Sequence, residues 1–399
     1  MKGFVPGNRL TLLKNGTQYF PALEAAIDAA RQHVYLETYI FRDDGAGRRI
    51  GAALLRAARR GVATHLMLDG FGSKPLPTAL IQELAAGGVQ VLIYRPETAL
   101  WRLRRHRLRR LHRKLAVVDT TVGFVGGINI LDDADPEDAP PQYDYAVAVQ
   151  GPLVAEILTA MRRLWNLVAF TQFSGVRRRA MEPIAMPPPA GNVRARFLLR
   201  DNLRHRRDIE RAYLRAIGKA RREILLANAY FLPGTRFRHA LLRAAARGVR
   251  VRLLVQGETD HPFIHHAAQA LYGRLLAAGV EIHAYERSML HAKTMVVDGV
   301  WATVGSSNID PFSLVLSREA NVVIYDHDFA RLLREDMLQE IAAGARTVTS
   351  EAWRNVPLWR RMLIWVSYGV VRLMMGLVNY PTNDPPAISG GRESAPRGH

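Results

Sequence analysis

Residues Leu290 to Asn308 read Leu-His-Ala-Lys-Thr-Met-Val-Val-Asp-Gly-Val-Trp-Ala-Thr-Val-Gly-Ser-Ser-Asn, and the chain repeats the pattern at Leu111 to Asn129. His112, Lys114, Asp119, Gly126 and Asn129 answer His291, Lys293, Asp298, Gly305 and Asn308 at one constant offset. After each His comes an apolar, largely β-branched run, Ala116-Val117-Val118 or Met295-Val296-Val297, which reads as a buried strand with side chains alternating between its faces. On that period His112 shares a face with Lys114, and His291 with Lys293. Asp119 and Asp298 fall an odd number of residues on, at the strand end, and Asp298-Gly299 is a tight hairpin signal. Their spacing assigns them to the turn or to a supporting contact. A second short strand (Val122 to Val125; Val300 to Val304) folds back and returns Asn129 or Asn308 close to its His.

Each repeat therefore builds a His, Lys, Asn triplet on one hairpin. An imidazole titrates near neutrality and can be nucleophile or proton carrier, an ammonium neutralises phosphoryl oxygens, and an amide donates a further hydrogen bond. With two triplets, one imidazole can attack phosphorus while the other protonates the leaving oxygen, so that displacement proceeds through a covalent phospho-histidine. The two lysines and two asparagines supply the charge stabilisation without a metal or other cofactor, each donor being worth about 3 kcal/mol. A lone histidine on a strand is usually a satisfied core or surface residue. Two copies, each followed at the same distance by Gly-x-x-Asn, are not expected by accident.

Outward from the hairpins, the two halves of the chain run in parallel. Helix Phe20 to Ala30, strand Val34 to Phe41, helix Ile50 to Arg60 ending at Gly61, strand Ala63 to Leu68, helix Thr78 to Ala86 and strand Val89 to Tyr94 precede the first hairpin. Helix Ile209 to Ala220, strand Ile224 to Ala227, helix Phe237 to Arg247 ending at Gly248, strand Val249 to Val255, helix Ala267 to Ala278 and strand Val280 to Tyr285 precede the second. Ala-Leu-Leu-Arg-Ala-Ala-Arg-Arg-Gly-Val at 53–62 and Ala-Leu-Leu-Arg-Ala-Ala-Ala-Arg-Gly-Val at 240–249 are nearly identical. The expectation is an α/β fold of two tandem duplicated α/β/α layered domains, each with a buried, mainly parallel sheet, related by a pseudo-twofold axis with one active site at their interface. Gly175 to Gly191, with Arg177-Arg178-Arg179 and Pro187-Pro188-Pro189, reads as a linker. The domains are then 1–185 and 186–350, followed by an apolar segment 351–380 and a Pro, Gly and Ser rich tail 381–399 expected to be disordered.

The 399 residues suffice for two cores, and 48% hydrophobic with 23% charged residues is ordinary for a globular chain. The charge balance is not ordinary: 55 Lys+Arg against 36 Asp+Glu give a formal +19. Such a field favours a polyanion, either nucleic acid or an anionic membrane surface. The absence of cysteine excludes a disulfide framework and a Cys-based metal site. Met1 to Gly16 reads as neither signal peptide nor membrane span.

Trp101 to Lys114 carries an extreme density of arginine before the first His. A charge run is usually a solvated face; here it also fits a loop at the site mouth, with Arg104, Arg105, Arg109 and Arg110 gripping anionic head groups. Met362 to Val378 is apolar and aromatic, flanked by Arg360 and Arg361 and interrupted by Arg372. That pattern favours an interfacial helix over a span, with a core helix as the alternative.

The paired His-x-Lys-x-x-x-x-Asp motifs, with Gly-Gly-Ile-Asn after one and Gly-Ser-Ser-Asn after the other, resemble the phospholipase D superfamily. Leu36 to Phe41, Ala57 to Val62, Leu68 to Ser73 and His112-Arg113-Lys114 are most similar to the bacterial cardiolipin synthases, in the branch without amino-terminal membrane spans. The resemblance implies a phosphatidyltransferase peripheral on the cytoplasmic face of the bacterial cell membrane, with phosphatidylglycerol as donor and acceptor, cardiolipin and glycerol as products, and no nucleic acid partner. It places His112, Lys114, Asp119, His291, Lys293 and Asp298 in the catalytic set, with Asn129 and Asn308 on the phosphate; His112 is taken as nucleophile and His291 as general acid and then base, the near-symmetric triplets leaving the reverse order open. It also implies that Asp144 and Glu319, each opening an apolar strand after a hairpin, hold an imidazole through its other nitrogen. From the residues alone these two acids are equally well surface charges, and Glu37 is a further candidate without an assigned role. The rival readings are a phospholipase D-type hydrolase, a nucleic-acid phosphodiesterase using the same triplets, and a membrane scaffold that would have no chemical need for either triplet.

Overall fold

The computed structural model of the chain describes residues 3–96, 109–132, 141–172, 184–201, 204–257, 262–310 and 317–377. The first half runs β1 (Val5–Lys14), α1 (Asn15–Asp28), β2 (His33–Thr38), α2 (Gly45–Arg59), β3 (Ala63–Asp69), α3 (Thr78–Ala86) and β4 (Gln90–Tyr94). The hairpin β5 (Lys114–Val118) and β6 (Val122–Gly126) follows, then β7 (Tyr145–Gln150) and α4 (Leu153–Thr171). The second half repeats the order with β8 (Val193–Arg200), α5 (Asp208–Lys219), β9 (Glu223–Asn228), α6 (Thr235–Ala246) and β10 (Arg250–Gln256). Next come α7 (Pro262–Gln269), α8 (Tyr272–Ala277), β11 (Glu281–Tyr285), β12 (Lys293–Val297), β13 (Trp301–Gly305), β14 (Glu319–Tyr325) and α9 (His327–Gly344). The chain continues through β15 (Ala345–Val348), α10 (Ser350–Arg354) and α11 (Leu358–Leu377).

All strands join one 15-stranded sheet. From its centre outward the first half reads β1-β7-β6-β5-β2-β3-β4 and the second β8-β14-β13-β12-β9-β10-β11, the same topology twice, with β15 added at the far edge. The halves meet where β1 pairs antiparallel with β8. A single core cluster on one face draws on both halves, packing α4 (Leu153, Ile157, Met161) and α9 (Phe329, Leu333, Met337) against strands of each. On the opposite face each half keeps its own layer, α1 and α2 over the first and α5, α6 and α8 over the second.

Two expectations are corrected, and one stretch without an assigned element gains one. The sheet is mixed rather than mainly parallel: among the described residues only β2-β3, β3-β4, β9-β10 and β10-β11 pair in parallel. Parallel pairing needs helical crossovers, which exist only in the outer part of each half, whereas the hairpins at the centre are antiparallel by construction. Within Met1 to Gly16, which the sequence pattern assigns to no element, Val5–Lys14 forms β1, the strand at the seam, because Leu10, Leu12 and Leu13 pack inward between polar neighbours. The helix expected over 267–278 is two short helices, α7 and α8, broken at Ala270-Leu271. Of the linker, residues 184–191 contain neither helix nor strand, while 175–183 and the tail 381–399 lie outside the described residues.

Candidate active site

The glycines of the repeated motif allow the next strand to lie flush against each hairpin. A Cβ on Gly126 would stand 2.6 Å from the Ala146 backbone on β7, and one on Gly305 2.3 Å from Asn321 on β14. A Cβ on Gly127 would sit 2.3 Å from the Asp144 carboxylate, so only glycine lets that acid approach. These contacts draw Asp144, just before β7, and Glu319, the first residue of β14, toward the histidines.

The wiring crosses between halves. The His112 N–H donates to the Arg318 carbonyl (3.0 Å), and the Arg318 N–H donates to the Arg110 carbonyl (2.7 Å). Symmetrically, the His291 N–H donates to the Tyr143 carbonyl (2.8 Å) and the Tyr143 N–H to the Met289 carbonyl (2.9 Å). The side chains follow: His112 Nδ1 lies 3.0 and 3.1 Å from the two oxygens of Glu319, and His291 Nδ1 lies 2.6 Å from Asp144. Each imidazole is thus held by a carboxylate of the other half. With Nδ1–H donated to an acid, the lone pair lies on Nε2 of each ring. Ser306 Oγ donates to Glu319 at 2.5 Å, and the Tyr145 N–H to Asp144 at 2.7 Å, which fixes the acids in turn.

The ammonium groups turn back to the same place. Lys114 Nζ donates to the His112 carbonyl at 2.7 Å, Lys293 Nζ donates to the His291 carbonyl, and Lys293 Nζ stands 4.0 Å from Asp144. Burial is the main cause that pushes Lys114 down to about 7 and Lys293 down to about 8. Burial, then the neighbouring Lys293 charge, pushes His291 down to about 4, and burial also lowers His112. The Lys293 charge acts on His112 and Lys114, and the Lys114 charge acts on His291, so both triplets occupy one electrostatic site. Four groups that carry positive charge when protonated crowd a buried space with two carboxylates, an arrangement that favours an incoming anion. Asn129 and Asn308 are both buried, and Asn129 Oδ1 accepts from the Ile40 N–H at 3.2 Å.

Comparison with known proteins places this geometry. Residues 23–165 and 213–341 match the family model described as "Cardiolipin synthase, PLD-like domain". The chain belongs to this family. It is similar to cardiolipin synthase B of Escherichia coli K12, with 40% identity over 391 residues that span 95% of this chain and 92% of the relative. The major cardiolipin synthase ClsA of Bacillus subtilis is 31% identical over 368 residues, 90% of this chain and 74% of that one. The crystal structure of phosphatidylserine synthase from Haemophilus influenzae shares the fold at 12% identity, with a TM-score of 0.71 covering 94% of this chain and 96% of that one.

Within this cardiolipin synthase fold, not every residue singled out from the sequence reaches the site. The motif aspartates, grouped above with the catalytic set, stand at the far end of their strands from the histidines. Asp119 accepts from the backbone N–H groups of Arg31, Gln32 and His33, and Asp298 from those of Arg221, Arg222 and Glu223. The physical reason is the strand itself, which carries residues five and more positions on away from the His-bearing end. Glu37 forms a buried bidentate pair with Arg113, whose side chain leaves β5's approach on the face opposite His112 and Lys114. Arg109 and Arg110 are half-buried, with the Arg110 guanidinium 4.6 Å above the Phe71 ring, and Arg104 and Arg105 lie outside the described residues.

Sequence reasoning missed two supports. Asp69, ending β3, accepts from the Leu111 N–H at 2.7 Å, and Gln256, ending β10, accepts from the Leu290 N–H. Each therefore anchors the residue before a histidine, and the signal was their matched place in the repeat. Tyr39 was also missed: its ring lies 4.9 Å from the His112 ring, and Lys114 Nζ lies 5.3 Å from the Tyr39 ring centre.

Proposed function

We propose that this chain makes cardiolipin by moving a phosphatidyl group from one phosphatidylglycerol to a hydroxyl of a second, releasing glycerol. The observation that carries the reading is the crossed holding of two imidazoles, His112 by Glu319 and His291 by Asp144, beside two buried lysines. In the first step the Nε2 lone pair of His112 forms a bond to phosphorus as the bond to the glycerol oxygen breaks, and His291 gives that oxygen its proton. In the second, His291 takes the proton of the acceptor hydroxyl, whose oxygen bonds to phosphorus as the His112 bond breaks. Lys114, Lys293, Asn129 and Asn308 hold the non-bridging oxygens, and Glu319 and Asp144 fix the ring tautomers. The low affinity of His291 for a proton comes from its burial and then from the neighbouring lysine charges. A bound phosphodiester offsets the lysine charge and raises it toward the range a general acid needs.

Membrane attachment in this reading falls to α11. One face packs inward through Ile364, Ser367 and Val371, while Leu358, Trp359, Met362, Trp365, Val366 and Leu373 are exposed. No helix among the described residues is long and apolar enough to cross a membrane. An exposed apolar and tryptophan-bearing face of this kind lies in the lipid interface, which supports a peripheral enzyme. Replacing Trp359 and Trp365 with Ser reduces recovery on phosphatidylglycerol vesicles by about 30-fold or more, given ~1–2 kcal/mol for each of the two buried rings, and leaves turnover of detergent-dispersed lipid unchanged. Equal recovery of variant and wild type would remove α11 from the membrane.

The deciding assay incubates purified protein with labelled phosphatidylglycerol in detergent, and separately with plasmid DNA. Cardiolipin and glycerol in equal amounts are expected. Phosphatidic acid alone would make the protein a hydrolase, and nicked plasmid without a lipid product would make it a nuclease.

A further inference from the structure

The duplication permits a residue-by-residue comparison of the helix pair α1–α2 with its counterpart α5–α6. The match is fixed by the repeated Ala-Leu-Leu-Arg run and by a shared contact: Arg60 Nη2 donates to the Ile27 and Ala30 carbonyls, and Arg247 Nη2 to those of Ile217 and Ala220. In that register Arg49 and Arg56 on α2 correspond to Arg236 and Arg243 on α6, while Glu24 and Asp28 on α1 correspond to Leu214 and Gly218 on α5.

The first pair of helices is neutralised across its groove. Arg49 lies 2.5 Å from Glu24, and Arg56 lies 3.0 Å from Glu24 and 2.7 Å from Asp28. In the second pair both acids are gone. Arg236 and Arg243 make no ion pair among the described residues, and a cavity of about 340 Å³, lined by Leu214, Gly218, Arg236, Arg243 and Arg247, opens at the corresponding positions. A Cβ built on Gly218 meets nothing within 4 Å, so a side chain could stand there and none does.

We propose that the α5–α6 groove is a second anion site, separate from the paired imidazoles, in which a phosphate group takes the place that Glu24 and Asp28 hold in the first half. Arginine suits the role because its fork donates two hydrogen bonds at once to phosphate oxygens. The ligand is a phosphate-bearing anion, either a soluble phosphate or the head group of an anionic lipid. This inference does not rest on the catalytic reading.

The test restores the missing acids. Leu214→Glu/Gly218→Asp in the full chain fills the groove with internal carboxylates at positions where the first half tolerates them. Two measurements are made: calorimetric titration with inorganic phosphate, and sedimentation with phosphatidylcholine vesicles with and without phosphatidylglycerol. Wild type is expected to show one more phosphate-binding event than the variant, or to bind the anionic vesicles about tenfold better, two arginines near an acidic surface sufficing for that factor. A change confined to the titration names soluble phosphate as the ligand, and a change in vesicle binding names the lipid head group. Arg236→Ala/Arg243→Ala should reproduce the loss while turnover of detergent-dispersed lipid stays at the wild-type level. Identical titrations and identical vesicle binding for wild type and both variants would overturn the proposal.

Discussion

The two halves share the His, Lys and Asn triplet and a crossed carboxylate on each imidazole, and differ in what surrounds them. The first half places Tyr39 beside His112 and a buried Glu37–Arg113 pair on the opposite face of the strand. In the second half the corresponding positions are Ala229, Ala227 and Ala292, so the ion pair is replaced on both sides at once. That is the expected outcome for a buried pair, since removing one partner leaves an uncompensated charge whereas removing both is nearly neutral. The acids are also differently supported: Glu319 accepts from Ser306, while Asp144 faces Gly127 at the matching position. Duplication has therefore kept the crossed His–carboxylate contacts and let the packing around them diverge, which gives two chemically similar rings distinct environments.

The sharpest way to break this comparison is to remove one acid at a time. Asp144→Asn and Glu319→Gln should each lower kcat by about 10²- to 10⁴-fold, as loss of the tautomer-fixing acid does in other triads. The effect should cross the interface: ring-proton NMR should show Asp144→Asn lowering the titration of His291 and leaving His112 in place, because the carboxylate raises the pKa of the ring it touches. A shift of His112 instead would mean that the halves are not interleaved.

A smaller effect separates the lysines. Phosphate binding requires ammonium groups, and in the free enzyme Lys114 gives up its proton near 7 and Lys293 near 8. kcat/KM, which reports the free enzyme, should then fall between pH 7 and 9 more steeply than it does below 7, by about a further tenfold per unit above the lower lysine break. Lys114→Arg, charged throughout this range, should leave only the higher break. A flat profile to pH 9 would show that the lysines are not held in this buried, mutually repelling state.

The smallest effect concerns the motif aspartates. Asp119→Ala and Asp298→Ala each strip the acceptor from three backbone N–H groups and should cost about 1–2 kcal/mol of stability, seen in denaturant melts, with kcat unchanged. A large loss of kcat without a loss of stability would return these residues to the chemistry.

Much of this was legible in the sequence because the repeat supplies its own alignment. His112, Lys114, His291 and Lys293 could be placed on one face by strand period alone, and the buried strands and glycine-ended helices stand within a few residues of their expected bounds. What local pattern cannot carry is pairing between distant segments. Whether Asp144 serves His112 or His291 depends on how β7 meets the other half, and the chain offers no periodicity for that. The role of β1 at the seam was hidden for the same reason, since Val5–Lys14 becomes a central strand only once β7 and β8 flank it. Sheet direction was misjudged because βαβ units are conspicuous in sequence, while the antiparallel centre is made by short hairpins.

Covalent trapping tests the shared site most directly. His291→Asn protein is mixed with phosphatidylglycerol, quenched under conditions that spare phosphohistidine, digested and read by mass spectrometry. A phosphatidyl adduct on the peptide carrying His112 is expected, with none anywhere in His112→Asn protein. An adduct on His291 of equal yield in the His112→Asn protein would contradict the division of labour and show two imidazoles working independently.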